Sequence, residues 1–168
     1  MIIHCTRKLA AKLPDVSNKP LAENSPLGSW HAHLLYFDRR QCVLFCHDLT
    51  RAVLFAPGVR KPDLQQLGKG LFSSMLISLL YELGCNAGQL NAVKLALGPV
   101  QFDGATDRSV LASMTVAKHD LEPYIYDVPN VLDLDPIAAS ARVTQRPATI
   151  AGEWIQPDVE LLKLVYAL

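Results

Sequence analysis

The side chains with the greatest chemical capacity fall in two short stretches. In the first, His31 and His33 are two residues apart, so in an extended strand they project from one face, with Cys46 and Asp48 following on a return strand. With a loop of two or four residues, positions 33 and 46 pair, as do 31 and 48. His31, His33, Cys46 and Asp48 then share a face that offers nitrogen, sulfur and oxygen ligands to zinc. A three-residue loop brings His47 to that face in place of Cys46. The plainer reading is that the histidines mark the solvated side of a sheet, since no established zinc-ligand spacing is present.

The second stretch is Thr106, Asp107, Arg108 and Ser109 at a predicted helix start. Backbone N–H groups and the helix dipole can hold phosphate or carboxylate there, and Arg108 can grip the anion with two parallel hydrogen bonds. Ordinary helix chemistry also explains the stretch: Thr106 caps, Asp107 answers the dipole and Arg108 faces solvent. Ser109 and Ser113 have no G-x-S-x-G context and no histidine that the sequence places beside them. Asp133 and Asp135 share a face if extended, although Asp135 before Pro136 reads more simply as a helix cap. Basic pairs stand at Arg7 and Lys8, Arg39 and Arg40, and Arg60 and Lys61. The middle pair tips a hairpin and is a candidate interaction element together with Trp30.

Periodicity supplies the elements that must position these groups. Ile2 to Cys5 reads as a strand and Thr6 as the cap of a brief helix that ends at Pro14. Asp15 to Ser29 is a polar loop, long enough to be a functional candidate in its own right. Trp30 to Phe37 and Gln41 to His47 form a hairpin around Asp38, Arg39 and Arg40, and uniformly apolar Ala52 to Ala56 is a third strand near the centre of a meander. Apolar residues from Leu64 to Leu83 repeat every three or four positions, which predicts a long amphipathic helix over Asp63 to Leu83, interrupted by Gly68 and Gly70. Asn86 caps a second helix through Leu97, making a helical hairpin, and Val100 to Phe102 adds a short strand. A helix follows Thr106. Prolines at 123, 129, 136, 147 and 157 limit the last third to short elements before a final helix at Pro157. The expected class is α+β, with a small, mainly antiparallel sheet of about four or five strands packed by the long helix and the helical hairpin. A single domain over 1–168 is expected, irregular over about 123–157.

Composition excludes several roles. The 168 residues carry 16 basic and 16 acidic side chains, so no global field draws the chain to nucleic acid or an anionic membrane. The longest uncharged run, between Lys69 and Glu82, is too short to cross a bilayer, which takes about 20 residues. Cys5, Cys42, Cys46 and Cys85 form no C-x-x-C pair and are expected as buried free thiols. With no apolar leader at the N-terminus, the expected location is the cytoplasm.

The sequence also resembles a family of small bacterial proteins described only as a domain of unknown function. The likeness rests on Ile2-Ile3-His4-Cys5-Thr6, on Leu27-Gly28-Ser29-Trp30 leading to Asp38-Arg39-Arg40-Gln41-Cys42-Val43-Leu44-Phe45, and on Arg108-Ser109-Val110-Leu111-Ala112-Ser113-Met114. Where the family's third motif has glycine, this chain has Ala112. The resemblance implies a bacterial protein and points to Trp30, Arg39, Cys42, Arg108 and Ser109. The leading expectation is a non-catalytic accessory protein that binds an unidentified protein partner, with no cofactor and no strong nucleic-acid or membrane signal. The alternatives are a small enzyme or anion-binding protein with a pocket near Arg108 and Ser109, and a zinc-binding hairpin.

Overall fold

Five strands, β1 (Ile2–Cys5), β2 (Trp30–Phe37), β3 (Arg40–His47), β4 (Val53–Ala56) and β5 (Gln101–Asp103), join in the order β4-β3-β2-β1-β5 in a computed structural model that describes residues 1–168. The class is α+β. β2, β3 and β4 are the antiparallel meander that the sequence predicts, while β1 runs parallel to both β2 and β5, so the sheet as a whole is mixed. Parallel pairing needs a crossover with helices over the sheet, and both sheet faces are accordingly buried.

One face carries Trp30, Ala32, Leu34, Val43, Phe45 and Leu54 into the larger core. Against it pack α1 (Arg7–Ala10), α2 (Lys61–Gln65), a π-helical stretch at Leu67–Phe72, α3 (Ser73–Glu82), α4 (Ala87–Leu97) and a C-terminal helix at Pro157–Tyr166. The long helix is thus three segments. A Cβ at Gly68 would sit 2.6 Å from Val100 Cγ1, so the glycine permits close approach where the helix widens. The opposite face carries Phe37, Cys42, Leu44, Cys46, Val53 and Phe55 into a second core beneath α5 (Arg108–Tyr126). That face is therefore no solvated side of the sheet, contrary to the plainer sequence reading of the histidines. Pro123 lies in the last turn of α5, which continues to Tyr126. The proline-rich region that follows holds α6 (Pro136–Thr144) and a small hairpin, β6 (Ala148–Ile150) and β7 (Glu153–Ile155), before α7, the helix at Pro157–Tyr166.

β4 is at the sheet edge and not, as its apolar sequence suggested, near the centre. The apolar composition has another cause: α6 covers the open edge. Ser140 Oγ accepts from Phe55 N at 2.9 Å, and Thr144 Oγ1 accepts from Val53 N at 2.9 Å while donating to Val53 O at 3.1 Å. Side-chain hydroxyls on a helix replace the missing strand and satisfy buried backbone groups. The Asp135 carboxylate caps α6 through Ile137 N and Ala138 N, which is the structural alternative read from Asp-Pro. Replacing Ser140 by alanine is expected to lower stability by about 1–3 kcal/mol, because it orphans the Phe55 N–H. Urea unfolding of S140A beside the parent checks this, and an unchanged midpoint would contradict the edge role.

Candidate functional site

The hairpin turn contains two residues, Asp38 and Arg39, with Phe37 paired to Arg40. His31 consequently pairs with Cys46 and His33 with Leu44, a register two residues away from the expected 33–46 and 31–48 pairing. The shared face survives, because a two-residue shift preserves the side on which each chain points.

Across that face runs a polar row. In register, His4 on β1 lies beside His31 on β2 and Asp103 on β5. Asp103 is fully buried; it accepts from His4 Nδ1 at 2.6 Å, Leu21 N at 2.8 Å and Ala105 N at 3.0 Å. Asp48, just beyond β3, accepts from His31 Nδ1 at 2.6 Å and from Ser29 Oγ at 2.7 Å. Burial alone would raise the Asp48 carboxyl, but the hydrogen bonds from His31 and Ser29 outweigh it and hold the group below its ordinary value. His31 Nε2 accepts the Asp107 N–H at 2.7 Å, which fixes the tautomer with the ring proton on Nδ1. The two sequence stretches thus meet, through Asp107 and His31.

The expected zinc set is not assembled by this arrangement. At 2.6 Å, His31 and Asp48 are a hydrogen-bonded pair with no room for an ion between them, and His33 Nδ1 is 2.9 Å from Thr6 Oγ1. Cys46 is fully buried, and burial pushes its thiol up to about 12. No three His, Cys, Asp or Glu side chains group as a metal site.

The anion set at the helix start is also rearranged. Asp107, not Thr106, is the N-cap, accepting from Ser109 N and Val110 N. Its side chain occupies donors that an anion would use. Arg108 is exposed, and Ser109 Oγ accepts from Arg51 Nη2 at 3.0 Å. Arg51, which sequence reading passed over, is 6% exposed and also donates to the Asp48 carbonyl. Its only sequence signal was a charge beside an apolar strand.

Trp30, expected at an interaction surface, is 1% exposed in the core, edge-on to Phe72 and His47 with ring centroids 5.3 Å and 5.0 Å away. Arg39 and Arg40 do reach the surface. The β3–β4 register sets Gln41 beside the segment after β4, where Val59 N donates to Gln41 O at 2.8 Å. Two basic pairs distant in sequence therefore converge: Arg39, Arg40, Arg60 and Lys61 line one cleft of about 640 Å³. Its only acidic neighbour in ion-pair range is Asp63, 4.0 Å from Arg60 Nε. Both turn residues are left-handed, Asp38 at φ 48° and Arg39 at φ 62°, the pattern of a type I′ turn that favours Asn-Gly.

A small mixed-sheet α+β protein with a buried polar row and a basic cleft at its hairpin tip is what fold and site define. The chain belongs to the domain of unknown function DUF6933, whose family model matches residues 2–160. No curated protein matches it. All four cysteines are free and buried, and no helix is long and apolar enough to cross a membrane.

The buried histidines set a pH dependence. His47 donates from Nε2 to Leu27 O and accepts from Thr50 at Nδ1; burial holds it neutral, below its ordinary 6.5. Burial, with Lys8 and Lys118 nearby, lowers His33 as well. The unfolded chain then binds more protons, so this stability is complete above about pH 6.5 and is lost as pH falls toward the lowered values. The urea midpoint is expected to decline between pH 7.5 and 5, and a flat midpoint would contradict the assignment.

Proposed function

We propose that this protein is a cytoplasmic bacterial accessory protein that acts by binding an acidic segment of a partner protein in the basic cleft at its hairpin tip. The observation that carries the reading is the convergence of Arg39, Arg40, Arg60 and Lys61 on one cleft in a chain whose 16 basic and 16 acidic side chains cancel overall. Four cations held together repel one another and contribute little to folding, whereas an acidic ligand complements them. Arg39 adds to the argument. A non-glycine residue in the left-handed region costs about 1–2 kcal/mol, and glycine would relieve it. Keeping arginine there favours the side chain over the turn.

An acidic peptide suits the cleft better than nucleic acid does. No aromatic side chain lines it to stack a base. Gln41 lines it too, and its side-chain oxygen has no partner.

Two variants separate binding from folding. The double substitution Arg39→Glu with Arg40→Glu is expected to weaken a glutamate-rich octapeptide about tenfold or more, roughly 1.4 kcal/mol, with the parent interaction fading as salt rises. Arg39→Gly is expected to weaken the peptide while raising the unfolding free energy by about 1 kcal/mol. Calorimetric titration and urea unfolding read the two effects. Equal affinity in the charge-reversed protein, or preference for single-stranded DNA over the peptide, would sink the reading.

A second reading, a small enzyme, draws on His4. Its Nδ1 is held by Asp103 at 2.6 Å and its Nε2 is 3.7 Å from Asp48 Oδ2, so the ring is set between two carboxylates.

A further inference from the structure

We infer that a second cleft, at the opposite end of the β2–β3 hairpin from the basic tip, binds a small monocarboxylate with a flat apolar body. It lies between α5 and the β6–β7 hairpin, occupies about 350 Å³, and has Arg51 among its lining residues. That volume is within the range of small-ligand sites.

The charge balance identifies the ligand class. Arg51 is 6% exposed, and its guanidinium donates to the Asp48 carbonyl and Ser109 Oγ, but it has no carboxylate partner and its Nε has no partner of any kind. Burying a cation without a counter-charge is costly, and a bound carboxylate removes that cost. The cleft's other cation, Arg146, is already neutralised by Asp120 at 2.5 Å. One positive charge is left over, which matches a monoanion and leaves the second charge of a phosphate dianion unanswered. Arg51 also sits at φ 60°, where glycine or asparagine would cost less.

The rest of the lining supplies the apolar body's environment. Val53 and Val143 form apolar wall, with Ser113 as a further hydroxyl near Ser109. Val116 is 60% exposed and Trp154 77% exposed, both on the cleft. Trp154 projects from a two-stranded hairpin that joins neither the five-stranded sheet nor its edge. An exposed indole and a lone buried guanidinium lining the same cleft provide a flat apolar surface and a charge anchor together.

Phenylacetate is the probe, with phenylacetamide as its neutral isostere and phenyl phosphate as the dianion. Because Trp30 is buried in the core, a ligand-dependent change in tryptophan emission reports chiefly on Trp154. Phenylacetate is expected to change that emission saturably, and the amide and the dianion to bind at least about tenfold more weakly. Val116→Glu, a change at an exposed helix position, is expected to weaken phenylacetate by a similar factor, and Trp154→Ala to do so by calorimetry. No saturable response to about 10 mM phenylacetate, equal binding of acid and amide, or unchanged affinity in V116E would each overturn the proposal. Neither variant touches the basic cleft, so failure here leaves the peptide reading standing, and the reverse also holds.

Discussion

The two-residue turn at Asp38 and Arg39 is the constraint on which the rest of the structure depends. By pairing Phe37 with Arg40 it sets His31 opposite Cys46 and brings Asp48 beyond β3 to within 2.6 Å of the His31 ring. A one-residue slip would send every histidine on β2 to the other face, into the core that Trp30 and Phe45 fill. Asp38 secures the turn further by accepting from Val131 N at 2.8 Å, which ties the tip to the segment after α5. The same turn presents Arg39 and Arg40 at one end of the hairpin and, through the β3–β4 register, aligns Arg60 and Lys61 beside them.

At the other end, polar groups inside the fold perform positioning. His31 links Asp48 on one side to the Asp107 backbone on the other, so the start of α5 is held against the sheet by a ring with both nitrogens engaged. Asp103 similarly joins β5, His4 and the long loop through Leu21 N. Such groups are costly to bury unless satisfied, and nearly all of these are. The exceptions are informative because they are few: the unpartnered side-chain atoms are Gln41 Oε1 and Arg51 Nε, and each belongs to a residue lining one of the two clefts. Two of the four non-glycine residues in the left-handed region, Arg39 and Arg51, line those clefts as well. Strain and unmet polar capacity coincide at both places, as they do where structure is retained for binding.

Local pattern made much of the fold legible. The Asn86 cap of the helix that ends at Leu97, the Asp135 cap before Pro136 and the final helix at Pro157 all follow from residue types at short range. What escaped the sequence was non-local. β4 reads as central because both its faces are apolar, and only the Ser140 and Thr144 hydroxyls, about ninety residues later, make an edge position tenable. The parallel placement of β1 between β2 and β5 depends on crossovers that no periodicity records. Trp30 looked like a surface aromatic beside a functional loop and is core. Arg39–Arg40 read as a candidate interaction element by itself, and only the register set Arg60–Lys61 beside it. Arg51 gave no motif at all, since its distinction is the absence of a carboxylate neighbour in space.

The central claim is that the hairpin tip is the binding face. Mapping by nuclear magnetic resonance tests it most directly, with a glutamate-rich octapeptide titrated into ¹⁵N-labelled protein at low salt. The account predicts that amide shifts change at Asp38 to Gln41 and Gly58 to Lys61, with the resonances of α1 and of the β6–β7 hairpin unmoved. Changes centred away from the tip, or none at saturating peptide, would contradict it.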